Sequence, residues 1–195
     1  MPANISEFMS SFTKDLARPN RFEVKINLPD GLRNNSQGGS LTQNDERLLT
    51  LRCETAELPS RTFTTAEQKF GSNPIEKYPY HTTFNDLTLT FIVSGDMQEK
   101  RIFDKWMNKI MPSTNFNPQY KYNNSTPNYV STIQVIQYNL QNEAQYVVSL
   151  YDAYPISVNQ LDLDWSSDGH HKLTVVFAYT YWEPGSGNLT VSIGP

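Results

Sequence analysis

The stretch Leu161-Asp162-Leu163-Asp164-Trp165, followed by Ser166-Ser167-Asp168-Gly169 and then by the run from Leu173 to Tyr181-Trp182-Glu183, decides the fold class. Read as an extended segment, Leu161, Leu163 and Trp165 share one face while Asp162 and Asp164 share the other, so one face is core and one is acidic. From Leu173 onward neither face is strongly polar: Leu173, Val175, Phe177, Tyr179 and Tyr181 alternate with Thr174, Val176, Ala178, Thr180 and Trp182. A strand covered on both faces in an antiparallel setting lies between layers or against another subunit. Ser166 to Gly169 carries tight-turn chemistry, so the two segments are expected to be consecutive strands.

Working outward, Phe22, Val24, Ile26 and Leu28 alternate with polar residues, as do Leu49, Leu51 and Cys53, and Leu87, Leu89, Phe91 and Val93; each reads as a strand. Tyr129 to Leu140 and Gln145 to Tyr151 read as two more, joined by Gln141-Asn142-Glu143. Apolar parity slips from Ile133 and Val135 to Ile136, Tyr138 and Leu140, which predicts a β-bulge near Val135. Between Ser60 and Tyr80 a polar hairpin turning at Phe70-Gly71-Ser72-Asn73-Pro74 is expected to protrude. The period then changes: Ile102, Phe103, Trp106, Met107 and Ile110 form one stripe of a helix from about Met97 to Met111, with Asp96 and Glu99 as a capping box and Pro112 as the stop. Ile5, Phe8, Met9 and Phe12 fall at helical spacing in a short amphipathic arm (residues 1–17). Residues 29–45 hold too little apolar content to fold alone and read as a mobile surface insert, and residues 184–195 as a C-terminal tail.

The fold expected is one mainly β (α+β) domain over residues 1–195: an antiparallel β-barrel or sandwich with one flanking amphipathic helix and a protruding hairpin. Charged residues make up 18% of the chain, below the usual ~25%, which suits large contact areas because fewer charges must be desolvated. Net charge is -4, and from Glu143 to Glu183 six acidic residues face Lys172 alone, which argues against a tight grip on nucleic acid. Cys53 is the one cysteine, read as a small core residue. The start lacks the basic and apolar regions of a signal peptide and no apolar run spans a bilayer, so a cytoplasmic protein without membrane contact is expected.

Catalytic chemistry is not suggested. His170 and His171 are adjacent and point apart in an extended segment, and His81 has no ligand at metal spacing. There is no phosphate loop and no nucleophile elbow. Asp162 and Asp164 sit at the roughly 7 Å that any i, i+2 strand pair shows, which is not specific for acid–base work. Aromatic content raises a monomeric carbohydrate-binding module as a reading from another class.

Arg18, Pro19 and Phe22, then Leu58 and Pro59, then Thr83, Phe84 and Asp86, then the helix around Phe103 and Trp106, then Leu161, Leu163 and Trp165, and finally Tyr181 and Trp182, occur in an order that resembles the tail tube protein of contractile-tailed, T4-like bacteriophages. The resemblance implies the phage tail-tube fold, shared in architecture with type VI secretion tube proteins, and a non-enzymatic subunit without cofactor. It implies homohexameric rings stacked into a tube that conducts DNA at ejection without binding its sequence. The partners implied are the tail sheath protein, the baseplate or tube initiator and the tape measure protein; the location implied is the virion, after assembly in the host cytoplasm. A baseplate-associated initiator, or a tube subunit of a phage-derived injection system, is the alternative within the class. By the same resemblance, Ile5, Phe8, Phe12, Arg61, Phe63, Phe70 and Tyr78 are candidates for contact with the adjacent ring, and Asp162 and Asp164 for an acidic face toward the lumen.

Overall fold

The structure, a computed structural model, describes residues 4–12, 16–33, 41–123, 126–166 and 168–186. Parts of the N-terminal arm, of the 29–45 insert and of the C-terminal tail therefore lie outside the described residues. The elements are α1 (Ile5–Ser11), β1 (Phe22–Ile26), α2 (Asp30–Arg33), α3 (Gln43–Arg52), β2 (Cys53–Ala56), β3 (Arg61–Gln68), β4 (Glu76–Phe84), β5 (Leu87–Ile92), α4 (Gln98–Ile110), β6 (Tyr122–Asn123), β7 (Thr126–Pro127), β8 (Ser131–Tyr138), β9 (Ala144–Val158), β10 (Lys172–Ala178) and β11 (Tyr181–Ser186).

The main sheet is antiparallel throughout, in the order β1-β8-β9-β10-β5-β2, with β11 also paired to β9. The architecture follows from the long strand β9. Its first part pairs with β8 and β11, and its last part, from Tyr154, pairs with β10, so one strand belongs to two sheets. It turns the corner at Asp152, a non-glycine residue at φ 55°. The ladder slips there: Ser131 faces Ala153 and Ile133 faces Leu150, leaving one extra residue on β9, the geometry of a bulge that bends its strand. β1 and β2, at the two ends of the path, approach within 8 Å without pairing, so the sheet curls toward itself but does not close.

The inner faces meet in an aromatic core. Phe91 of β5, Phe103 and Trp106 of α4 and Phe177 of β10 are fully buried. Phe103 and Trp106 stack with centroids 6.3 Å apart, and Phe177 meets both edge-on. The Trp106 indole N–H donates to the Tyr129 carbonyl at 2.7 Å, satisfying the one polar atom that a buried tryptophan carries. The stripe read from the sequence is the buried face of α4, while Arg101, Asp104 and Lys105 are exposed.

Five expectations are corrected. Leu49, Leu51 and Cys53 do not alternate along a strand, because Gln43–Arg52 is helix α3 and only Cys53–Ala56 is strand. The Asp45 carboxylate accepts the Thr42 amide at 2.7 Å, acids open the helix and Arg52 closes it, and Leu49 is buried while Leu51 is 73% exposed. The described part of the 29–45 insert is knitted to the body rather than loose: Leu32 and Leu41 are buried, and Glu46 pairs with Arg33 and accepts the Leu28 amide at 2.7 Å. Asp96 and Glu99 form no capping box; Met97 holds the N-cap position in a left-handed conformation, and Glu99 turns inward to Ser94 and Arg52.

The β8–β9 ladder slips on both sides of Val135, between Ser131 and Ile133 and between Gln137 and Tyr138, each time with the extra residue on β9, while Val135 itself pairs evenly with Val24 and Val148. Val135 and Ile136 are buried on opposite faces, so two covered faces account for the parity change. Finally, Leu161–Trp165 is a loop. Leu161 packs against the core, but Leu163 and Trp165 are 86% and 106% exposed. The Asn159 side chain ends the β9–β10 ladder by accepting the Thr174 amide at 2.9 Å, and Asp164 folds over the Ser166 amide and hydroxyl at 2.9 and 2.8 Å. The run after it also breaks, since β10 ends at Ala178 and β11 begins at Tyr181 on a different part of β9.

Candidate assembly surfaces

The hairpin β3–β4 is a two-stranded sheet separate from the main one, longer than expected, reaching Phe84. All eight residues of β3 are exposed. Its ladder runs from Arg61 opposite Phe84 to Gln68 opposite Glu76, with Tyr80 bulged out between Thr64–His81 and Thr65–Pro79. Gly71 at φ 59° makes the turn possible, since a left-handed conformation costs glycine little. At the base, the Trp182 indole N–H donates to the Ser60 carbonyl at 3.4 Å, and the rings of Phe84 and Tyr179 lie 6.1 Å apart.

Along the hairpin the Arg61 guanidinium lies 4.9 Å over the Phe63 ring, Lys77 pairs with Glu67 at 3.2 Å, and the Tyr78 hydroxyl donates to Glu76. Phe63, Phe70, Ile75, Tyr78 and Tyr80 are exposed. A two-stranded hairpin of this length is marginal alone in water. Its apolar side chains and free edges make it a surface built to be covered.

In α1 and at its C-cap, Ile5, Phe8 and Phe12 are exposed, with the two phenyl rings edge-on at 5.0 Å. The residues of the sequence pattern divide by role. Phe103 and Trp106 are core, Phe22 and Trp182 pack against it, and Pro19 forms a turn whose Arg18 carbonyl accepts the Gln137 side-chain amide at 2.7 Å. Leu58 is exposed and Pro59 half-buried before the hairpin, while Tyr181 stacks on Tyr151 at 4.8 Å. Asp162 and Asp164 lie on the exposed loop between β9 and β10, and hydrogen bonds from Ser166 hold the Asp164 carboxyl below its usual range.

Sequence reasoning missed the corner of β9. The Asp152 carboxylate accepts from the Tyr122 hydroxyl and, at 3.4 Å, from Thr180, and that bond pushes the Tyr122 phenol up to about 12. Beside it opens a cleft of about 440 Å³ lined by Asp30, Arg33, Tyr122, Tyr151, Asp152 and Tyr181, among others. The available signal was Asp152 as the single charged residue of a fifteen-residue strand. Cys53 is half-buried, and burial pushes its thiol up to about 12, which makes it unreactive. Among the described residues no cluster of three His, Cys, Asp or Glu could hold a metal ion, and no helix is long and apolar enough to cross a membrane.

No curated protein sequence matches the chain. Its fold is similar to that of chains in cryo-EM structures of contractile assemblies. One is from the tube-terminating cap of the anti-feeding prophage (TM-score 0.62, 16% identity, 89% of this chain and 93% of that one). Others come from the baseplate of the same particle (TM-score 0.60, 16%, 90% and 99%) and from the extended sheath–tube complex of an extracellular contractile injection system (TM-score 0.56, 15%, 94% and 99%). The family model described as phage tail tube protein matches residues 17–184, from the residue before the Arg18-Pro19 turn into β11; the chain belongs to the phage tail tube protein family.

Proposed function

We propose that this chain is the repeating subunit of the inner tube of a contractile, T4-like tail, assembling as hexameric rings that stack into the channel through which DNA leaves the capsid. The observation that carries this reading is the β3–β4 hairpin: eight consecutive exposed strand residues, with aromatic side chains, on a member of the tail tube family. A neighbouring subunit would cover these edges and remove the aggregation hazard they carry alone. In this reading Arg61, Phe63, Phe70 and Tyr78, with Ile5, Phe8 and Phe12 of the arm, meet the adjacent ring. The sheath, the baseplate initiator and the tape measure protein are the other partners, and the role is structural rather than catalytic.

The test is negative-stain electron microscopy with light scattering over a concentration and salt series, with and without tail baseplates as seeds. Rings or tubes with a central hole are expected. A monomer under every condition, seeded included, would overturn the reading. A second reading, a subunit that initiates or ends the tube, draws on the similar chains in a baseplate and in a terminating cap. It predicts rings that do not elongate.

A further inference from the structure

Two exposed loops at opposite ends of α4 complement each other in charge and in apolar character. The first is the acidic loop Leu161–Trp165. Leu163 and Trp165 are 86% and 106% exposed, flanked by Asp162 and Asp164, with Asp168 beyond them. No Lys or Arg occurs between Lys121 and Lys172. The loop is braced through Asn159 at its root and by the bonds to Asp164 described above, and it curls around a hollow of about 380 Å³ lined by Asp162, Leu163, Asp164, Trp165, Gly169, His170 and His171. That volume is near the lower end of what binding pockets span, about 300–1,000 Å³, and suits inserted side chains better than a large ligand.

The second is the segment from Met111 to Lys121 that follows α4. Met111, Phe116 and Tyr120 are exposed, and no acidic residue occurs between Asp104 and Glu143. The segment is built rather than slack. The Phe116 amide donates to the Pro112 carbonyl at 2.9 Å, the Gln119 amide to the Ile110 carbonyl at 2.9 Å, and the Asn128 side chain to the Tyr120 carbonyl at 3.0 Å. Phe116 is held at φ 52°, a conformation that disfavours a bulky side chain. Strain of this kind is retained where the surroundings enforce it and is more common at functional positions.

The topology separates the two loops. The acidic loop ends at His171, whose carbonyl accepts the Val93 amide at 3.1 Å, so it sits near the start of α4. The second segment leaves the far end of α4, about 20 Å away by helical rise. Tyr122 then meets Asp152, six residues of β9 short of Val158, which gives a similar separation of about 20 Å along the strand.

We infer that the Leu161–Trp165 loop of one copy docks on the Met111–Lys121 segment of the next, with Leu163 and Trp165 against Phe116 and Tyr120, and with Asp162 and Asp164 facing Lys109 and Lys121. The contact rests on the reading that the chain assembles with itself. It is head-to-tail, because the two surfaces differ and lie at opposite ends, so it closes a ring or extends a filament and does not stop at a dimer. It also takes the two carboxylates into a subunit boundary instead of leaving them to line the channel. An exposed Trp and Leu beside them suit a boundary, where they are buried, better than a water-filled lumen.

The test pairs Leu163→Cys with Phe116→Cys in one chain, treats assembled protein with a short bis-maleimide, and reads the products on a denaturing gel. The unaltered chain, with Cys53 alone, is the baseline, and its assembly is followed by electron microscopy. The double variant is expected to give a ladder through trimer and beyond, with each single variant at baseline. If the unaltered chain assembles and the double variant gives no ladder, the contact is wrong and the tube reading stands. Dimers from Leu163→Cys alone would overturn it in favour of a symmetric contact. If the unaltered chain never assembles, both readings fall. As a second arm, Asp162→Lys with Asp164→Lys should cut the sedimenting fraction at least tenfold, and adding Lys109→Glu with Lys121→Glu in the same chain should restore most of it; no loss in the first would overturn the contact.

Discussion

Arg52, the last residue of α3, reaches across to Glu99 in the first turn of α4 and pairs with a carboxylate that has no exposed surface. Glu99 also accepts the Ser94 amide at 3.0 Å and the Ser94 hydroxyl at 2.9 Å. Burial by itself would raise the Glu99 carboxyl, but Arg52 and Ser94 outweigh it and hold the group below its usual range. Arg52→Ala would leave a buried charge without its cation. It should cost about 3 kcal/mol, the lower end for a broken buried pair because Arg52 is one-third exposed. In a chain of this size that is a fall in Tm of roughly 6–12 °C. The pH dependence checks the cause. A depressed carboxyl contributes stability at neutral pH and loses it as pH falls below about 4.3. The gap between the unaltered chain and Arg52→Ala should therefore narrow on acidification in urea unfolding series.

Asp152 combines a left-handed backbone with two hydrogen bonds to its carboxylate, and the two contributions can be separated. Asp152→Gly and Asp152→Ala both remove the carboxylate, but only the alanine must hold a methyl-bearing residue at φ 55°. Alanine should be less stable than glycine by about 1 kcal/mol, the reverse of the usual order within a strand. The same bond holds the Tyr122 phenol at about 12, so its stabilising effect is present below about pH 10 and lost as pH rises through about 12. In Asp152→Asn an alkaline absorbance titration should find one tyrosine ionising earlier.

The sequence makes α4 legible because five apolar residues recur at one period on a charged background, and no other element could use that pattern. It makes β1, β5, the core half of β10 and the hairpin legible because alternation and turn chemistry agree. Leu163 and Trp165 mislead because alternation states which residues could share a face, not whether a partner strand exists. Here Asn159 ends the ladder before they are reached. Leu49 and Leu51 mislead in the same way, since three alternating apolar residues outweigh a cap at Thr42 and Asp45, seven and four residues before Leu49. The corner at Asp152 is marked in the sequence only by a lone charge; that the strand bends there arises from two sheets competing for one strand, a property of the whole fold.

The hairpin supplies a prediction that separates assembly from folding. Phe63 and Phe70 are 53% and 67% exposed, so Phe63→Ser and Phe70→Ser should change the stability of the single chain by no more than about 0.5 kcal/mol. If these rings meet the adjacent ring, the same variants should raise the concentration at which tubes form by tenfold or more, read by light scattering. Unchanged tube formation would remove the hairpin tip from that contact.

Trp106 offers the opposite case, a residue whose loss should act on the fold before assembly can matter. Its ring is fully buried between Phe103 and Phe177, and its N–H has one partner, the Tyr129 carbonyl. Trp106→Phe keeps most of the packing and leaves that carbonyl without its donor. Its cost should be about 1–3 kcal/mol, the penalty for an unsatisfied buried group with a small cavity added. Trp106→Ala opens the whole site and should cost about 3–5 kcal/mol. Of the three tryptophans, Trp106 is buried, Trp182 is half-buried and Trp165 is exposed, so acrylamide quenching reads the outcome directly. In Trp106→Phe the remaining fluorescence should be more quenchable on average, because the shielded indole is gone. A variant that kept both its stability and a strongly shielded tryptophan component would mean that α4 does not seal the core through this ring.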